Sequence, residues 1–424
     1  MKQVVRAGAA ALLLSGLGCG EEPSGEPSGQ EWVRPEPSAV RKATESSRDL
    51  RPSVDGRDLT ALVRGNTRFA LELFDTMRTE APDENLAFGP YSVSHALAML
   101  YAGARGETAL ALRNSLHFDV EPTRFHLTMN GLDLELAARN SDVLLRNANQ
   151  AWVQRGSDVE ADYLDVLTRD YGAPLAELDF HAPEGARGTI NAWVADVTEK
   201  MIPELLPAGA IREDTVLVLT NAMYMDAPWK YAFDPALTGK GAFQIASGLR
   251  VDVDMMHFDD YLPSARGNDW AAVEIPYRGD EVSMFVVVPQ DLVEFESRLT
   301  PELLSEIRGS IRSGGIHLSL PRFKFRFRAP LEEALTSLGL GILFDAPDLS
   351  GILPGGGVVD SVAHEAFIEV DEEGTRAAAA TGVPIVSSHG PWIDVDRPFL
   401  FFIIDKLTGT VLFLGRVLDP RAQP

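Results

Sequence analysis

The spacing of apolar residues changes character once along this chain, and that change limits the folds open to it. Up to about residue 205 the spacing is three and four. Leu59, Leu62, Val63, Phe69, Leu73, Phe74 and Met77 mark one face of a long helix. Ser92 or Ser94 is suited to start the next helix, which holds Leu97, Met99 and Leu100 and ends at Gly103 and Gly106. Further helical stretches are expected at 107–117, near 159–171 and near 185–205. Beyond residue 215 the pattern becomes VLVLTNAMYM (216–225), DEVSMFVVVPQ (280–290), GIHLSLPRFKFRF (315–327) and RPFLFFIIDKLTGTVLFLGRVLD (397–419). These runs read as strands, the last as a hairpin turning at Lys406–Gly409. Helices gathered first and strands later predict an α+β fold rather than alternating βαβ units. No repeat and no Pro/Gly-rich break follows, so residues 55–424 are read as one domain.

Composition removes several classes of function. Cys19 is the one cysteine among 424 residues, so the body has no disulfide, Cys-rich zinc site or thiol nucleophile. The 8 histidines contain no His-Glu-x-x-His, and no metal or other cofactor is expected. Residues 1–19 carry Lys2 and Arg6 (+2); residues 20–54 carry seven acids and five bases (−2). These cancel, so the body holds the whole net charge of −24. Such a surface repels phosphate, which argues against a nucleic-acid groove or a polybasic heparin site. Gly-x-Ser-x-Gly, the Walker pattern and the dinucleotide turn are all missing, and GARGET (103–108) has the wrong spacing. Asp259–Asp260 and Glu332–Glu333 read as solvated surface, so the chain is not expected to be an enzyme.

The amino terminus has the form of an export signal. A basic start, the apolar stretch Ala7–Leu14 and the small residues before Cys19 define a signal peptide over 1–18. Cys19 resembles the lipid-modified cysteine of bacterial lipoproteins, although Gly16 stands where those signals usually have leucine; plain secretion is the alternative. Residues 19–54 are rich in Pro, Ser, Gly and Glu and are read as a disordered tether. Its average span would be about 30–35 Å. The protein is therefore expected outside the cell or in the cell envelope, meeting a membrane only through a lipid on Cys19.

Residues 364–392, HEAFIEVDEEGTRAAAATGVPIVSSHGPW, fit no ordinary helix or loop. Four alanines favour helix by propensity, but Gly382 and Pro384 cut the run short and it carries no apolar stripe. With period two, one face holds Thr375, Ala377, Ala379, Thr381, Val383 and Ile385; Arg376 falls on the other. This is a segment that can sit exposed and can also slip between two strands.

DEEGTRAAAAT (371–381) resembles the proximal hinge of the serpins, the serine-protease-inhibitor family, and of its inhibitory members in particular. FGPYSVSHALAMLYAGARGET (88–108), TNAMYMDAPWKYAFDP (220–235), LPRFKFRF (320–327), APDLSGI (346–352), VAHEAF (362–367) and DVDRPFLFFI (394–403) are similar in order and spacing. The resemblance implies a large mixed β-sheet, smaller sheets, a helical subdomain and an exposed reactive-centre loop at about 372–393. It implies a suicide-substrate inhibitor that traps the acyl-enzyme by inserting its cleaved loop as a strand. The hinge would be Glu372, Glu373, Gly374, Thr375, Ala377, Ala378, Ala379, Ala380 and Thr381. Counting seventeen residues from Glu372 puts the cleaved bond between Ser388 and His389, with Ser387 the alternative. Ser92, Asn221 and His364 match the buried cluster under the opening sheet. Trp229 and Arg322 match the top of the opening, Arg322 as the partner of Glu372. A satisfied core histidine and a packing tryptophan would account for His364 and Trp229 without any such role.

Two positions depart from the family pattern. Gly89 stands where many members have serine, which implies a thinner buried network. Pro384 would lie inside the inserted strand without an N–H to donate. The partner is expected to be a serine protease acting on a monomer. Val383-Pro-Ile-Val-Ser-Ser388 suits an elastase-like or subtilisin-like cleft, whereas Arg376 is the one Lys or Arg in the loop and lies too deep for a trypsin-like enzyme to be trapped. A non-inhibitory serpin (a carrier, chaperone or plain protease substrate) is the alternative reading.

Overall fold

The computed structural model describes residues 40–41, 47–139, 142–147, 149–173, 175–357, 359–375 and 390–422. Helix α1 (Gly56–Glu80) starts where the Asp55 side chain accepts from the Arg57 N–H, and it buries Leu62, Phe69, Leu73, Phe74 and Met77. Helix α2 (Pro90–Gly103) starts at proline, not at Ser92 or Ser94. Proline is pre-set for the first helical turn and has no N–H to leave unpaired. Both serines are therefore inside the helix, buried, with their hydroxyls free to bond to side chains elsewhere. Helices α3 (Gly106–Ser115), α4 (Pro122–Ala137) and α5 (Pro183–Val197) follow.

The strands in chain order are β1 (Val40–Arg41), β2 (Leu86–Phe88), β3 (Leu144–Asn147), β4 (Gln150–Gln154), β5 (Leu175–Leu178), β6 (Leu217–Pro228), β7 (Gly239–Gln244) and β8 (Arg250–Arg266). Then come β9 (Trp270–Pro276), β10 (Val282–Pro289), β11 (Arg312–Pro321), β12 (Phe323–Ala329), β13 (Val359–Val370), β14 (Gly374–Thr375), β15 (Trp392–Asp394), β16 (Phe399–Asp405) and β17 (Val411–Val417). Among the described residues the first sheet runs β1-β5-β4-β6-β14-β13-β12, with β3 also on β6. The second runs β15-β11-β8-β9-β10-β16-β17-β2, with β7 on β8. Helices precede most strands, as the change in spacing predicts. The hairpin turns where expected, with Gly409 at φ +82°, a conformation suited to glycine.

GIHLSLPRFKFRF divides at Arg322 between the two sheets. Phe323, Phe325 and Phe327 are buried while Lys324, Arg326 and Arg328 face solvent, the alternation of a sheet with one wet face. Helix α2 packs against β6 of the first sheet and β17 of the second, so one helix touches both.

The expected tether ends earlier than residue 54. Val40–Arg41 pairs with Ala176 and Leu175 of β5, the neighbouring strand of the first sheet. Arg48 donates from Nε to Asn130 (3.0 Å) and from Nη2 to Asp133 (2.5 Å). Asn130 donates in turn to the Asp49 carbonyl (2.7 Å), and the Asp49 N–H reaches the Arg169 carbonyl (2.9 Å). A polar composition rules out folding alone, but not docking by charge and backbone bonds on a surface already formed. Burial pushes the Asp133 carboxyl up; His95, Arg48 and the Tyr91 hydroxyl outweigh it and hold it below its usual range. Arg48→Ala is expected to cost about 1–3 kcal/mol, because it leaves a half-buried carboxylate without its closest cation. Urea denaturation measures this, and an unchanged midpoint would contradict it.

Candidate functional site

The site is the seam between β6 and β13. These strands are parallel and adjacent, paired from Leu217↔Val359 to Met223↔Ala366. Above that they part, and β14 enters the gap: Gly374↔Pro228 and Thr375↔Ala227 on one side, Val370↔Thr375 on the other, all antiparallel. The turn into β14 is held by Asp371, whose carboxylate accepts the N–H groups of Glu373 (2.9 Å) and Gly374 (3.2 Å). Burial raises the Asp371 carboxyl, and those two N–H groups oppose the shift. Gly374 fits because a Cβ there would lie 2.2 Å from the Ala227 carbonyl oxygen. Thr375 is 1% exposed, and its hydroxyl lies 2.6 Å from that of Tyr277.

Glu372, in the turn, is seated by a fork of bonds. Arg322 Nε donates to both carboxylate oxygens (2.9 and 2.8 Å) and Nη2 to one of them (2.5 Å), while the Thr238 hydroxyl donates to the same oxygen. Burial alone would raise this carboxyl; the Arg322 guanidinium and the Thr238 hydroxyl outweigh it and hold it below its usual range. Trp229 is buried, stacks on Tyr277 with centroids 4.5 Å apart, and donates from Nε1 to the Asp371 carbonyl (2.9 Å). Its own N–H bonds to the Glu373 carbonyl (2.8 Å). Arg322, Trp229 and the turn 371–374 thus form one contiguous unit at the top of the seam.

Ser92, Asn221 and His364 come together beneath it. His364 and Asn221 are register partners across the seam, and His364 Nδ1 donates to the Asn221 side-chain oxygen. Asn221 Nδ2 donates to Ser92 Oγ (2.7 Å) and to Asn149 Oδ1 (2.5 Å); Ser92 Oγ also donates to Asn149 Oδ1 (3.0 Å). Asn149 belongs to the cluster and was not found from sequence, because a lone asparagine before a short strand carries no pattern. Gly89 joins through its backbone, whose N–H donates to His364 Nε2 (3.1 Å). A Cβ at Gly89 would lie 2.2 Å from Met223 Sδ, so the methionine fills the space that a serine would use. Burial pushes His364 down to about 3, so the ring is neutral, with one nitrogen donating and the other accepting.

Among the described residues no group of three or more His, Cys, Asp or Glu could hold a metal, and no helix is long and apolar enough to cross a membrane. Cys19, Ala377, Ala378, Ala379, Ala380, Thr381, Pro384, Ser387, Ser388 and His389 lie outside the described residues.

Residues 64–420 match the family model for serpins, serine protease inhibitors, so the chain belongs to the serpin family and has its fold. It is 34% identical over 381 residues to an uncharacterized serpin-like protein of Methanosarcina mazei, covering 87% of this chain and 89% of that protein. It is 38% identical over 378 residues to leukocyte elastase inhibitor A of Mus musculus, covering 85% and 99%. The native-state crystal structure of tengpin, a thermophilic serpin, is similar with a TM-score of 0.79 at 26% identity, covering 89% of this chain and 97% of that one.

The buried imidazole gives a pH signature. Unfolded, histidine takes up a proton near pH 6.5; folded His364 takes one only near 3, so the unfolded state binds more protons between these values. The stability His364 provides is complete above pH 6.5 and is lost as pH falls toward 3. Between pH 6.5 and 4 that loss should reach roughly 3 kcal/mol. His126, pushed down to about 4 by burial and then by Arg169, adds to the same trend. His364→Gln should therefore flatten the pH dependence of unfolding by close to one proton, read from denaturation midpoints across this range. An unchanged slope would contradict a neutral buried ring.

Proposed function

We propose that this serpin inhibits serine proteases as a suicide substrate, its cleaved loop entering the first sheet between β6 and β13. The observation that carries this reading is β14. Below it the two neighbours pair in parallel, whereas β14 pairs antiparallel with both of them. Extending β14 downward exchanges one parallel ladder for two antiparallel ones, which are slightly more stable per residue. Residues 374–388 are fifteen positions, roughly 50 Å of strand. If each new ladder bond nets ~0.5–1 kcal/mol, insertion releases on the order of 10 kcal/mol.

The protease serine attacks the carbonyl of residue 388, the chain end at His389 departs as an amine, and the loop remains joined to the protease as an ester. Insertion then carries the protease away and distorts its cleft before water reaches the ester. The small side chains at 377–381 allow entry to outrun hydrolysis. A small, apolar loop end suits an elastase-like or subtilisin-like target, in keeping with the elastase inhibitor among the relatives. Residues 1–18 act as an export signal in this reading, with Cys19 as the lipid acceptor of an envelope-held form.

Incubation with elastase, subtilisin and trypsin tests the proposal. Elastase or subtilisin should give an SDS-stable complex and release a peptide beginning at His389 or Ser388; trypsin should cut after Arg376 and give none. Ala377→Arg should raise the number of inhibitor molecules consumed per protease trapped at least fivefold, because an unpaired charge costs several kcal/mol to bury. Cleavage by every protease without a complex would overturn inhibition and favour the non-inhibitory alternative.

A further inference from the structure

A cavity of about 450 Å³ opens where the β7–β8 turn, the residues before β16, the end of β17 and the short helix Leu292–Ser297 meet. Much of its wall is apolar, with Pro82, Ile245, Leu292, Val293, Pro398 and Leu418 among the lining residues. Val293 is 70% exposed, so an apolar side chain stands open to solvent at the rim. Two charged side chains, Glu296 and Arg416, line the same cavity although each residue is only 4% exposed. Charges so far out of water need close partners.

The pair between them is loose. Among the described residues the Glu296 carboxylate accepts from Arg416 Nη1 alone, at 3.3 and 3.5 Å. Charge-assisted bonds of this kind ordinarily close to about 2.7–2.9 Å, and elsewhere in the molecule Arg139 reaches the buried Asp405 carboxylate at 2.6 Å. Arg416 is held back by its other acceptors: Nε donates to the Glu84 carbonyl (3.2 Å), and Nη2 to the carbonyls of Ala81 (2.7 Å) and Pro82 (3.0 Å). Burial pushes the Glu296 carboxyl above its usual range, and the Arg416 charge offsets only part of that shift. A carboxylate can accept about four hydrogen bonds. This one has two long contacts from a single donor group, beside a cavity.

We infer that this cavity is a binding site for a small amphipathic amine, its ammonium on Glu296 and its hydrocarbon against Ile245, Leu292, Val293 and Leu418. Charge selects the cation. Asp83, Asp291 and Glu296 are the acids of the lining, while its two arginines are already engaged, Arg416 by the bonds above and Arg397 by Asp396 at 2.8 Å. The net charge of −24 draws cations to the surface as a whole. An ammonium brings three donors and no acceptor, which matches a carboxylate with open lone pairs; an alcohol brings one donor and no charge, and a carboxylate is repelled. The volume falls in the range of small-molecule sites, about 300–1,000 Å³, and an apolar wall with a few orienting polar groups is their usual composition. A second cleft, beside α1, also reaches Glu296, but there the lining already includes the Arg68 guanidinium.

The test uses the full chain, with hexylamine, hexanol and hexanoate as probes and isothermal titration calorimetry at physiological salt as the readout. Hexylamine should bind at one site at least about tenfold more tightly than hexanol, the margin of a buried hydrogen bond between charged groups. Hexanoate should not bind. Glu296→Gln keeps the side-chain shape and removes the charge, so it should bring hexylamine to within about threefold of hexanol. Val293→Trp should fill the rim and weaken hexylamine at least about fivefold, with the melting temperature unchanged because position 293 is exposed. Where Glu296→Gln does not fold, Val293→Trp decides alone. Wild-type affinities for hexylamine and hexanol within about twofold of each other would overturn the site. So would hexylamine binding that the deciding substitution leaves unchanged, because the amine would then sit on some other acid of this acidic surface.

Discussion

Two parallel strands lying side by side, with a third wedged in above them, are the constraint on which this structure depends. β6 and β13 are joined by their parallel ladder, by the His364–Asn221 contact across the seam, and by α2, whose Ser92 and preceding Gly89 bond to the same pair. Every one of those contacts is local to the lower seam. At the top, the fork from Arg322 to Glu372 and the stack of Trp229 on Tyr277 hold the turn that admits β14. The molecule therefore has a latch above and a clasp below, with the parallel pair between them. A further strand can enter only if the clasp yields.

The segment that would enter is anchored to different sheets at its two ends. Thr375 is buried in the first sheet against Tyr277, and Gly390 is pressed on β11 of the second. In the proposed reading, cutting between these anchors would free the amino-terminal part to move along the seam while the carboxy-terminal part stays on the second sheet. In the same reading, the seam and the small residues after Gly374 would govern whether a protease is trapped.

Much of this was legible in the sequence, for reasons that differ by residue. The change from helical to strand spacing carried the α+β fold because the long elements bury one continuous face each. The segment from Gly374 stood out because its glycine and alanines contradict both helix and loop chemistry, and the structure describes Gly374 and Thr375 of that run. Ser92, Asn221 and His364 are far apart in sequence, and only the family resemblance joined them; Asn149 had no such pointer. Strand β8 was missed because RVDVDMMHFDDY alternates charge with apolar residues too irregularly to stand out. The start of α2 was misplaced because two serines looked like caps while Pro90 did the work, and the folded end of the tether was missed because Arg48 docks by charge, which leaves no apolar signature.

The melting temperature of protein nicked in the loop, compared with that of intact protein, tests the central claim most directly. A nick ordinarily loosens a fold. Here the freed segment should extend β14, exchange the parallel pair for two antiparallel ladders, and raise the melting temperature by roughly 20 °C, at the ~2 °C per kcal/mol of a large domain. A nicked sample that melts at or below the intact one would contradict the account, because the seam would then hold no vacancy for the strand to fill.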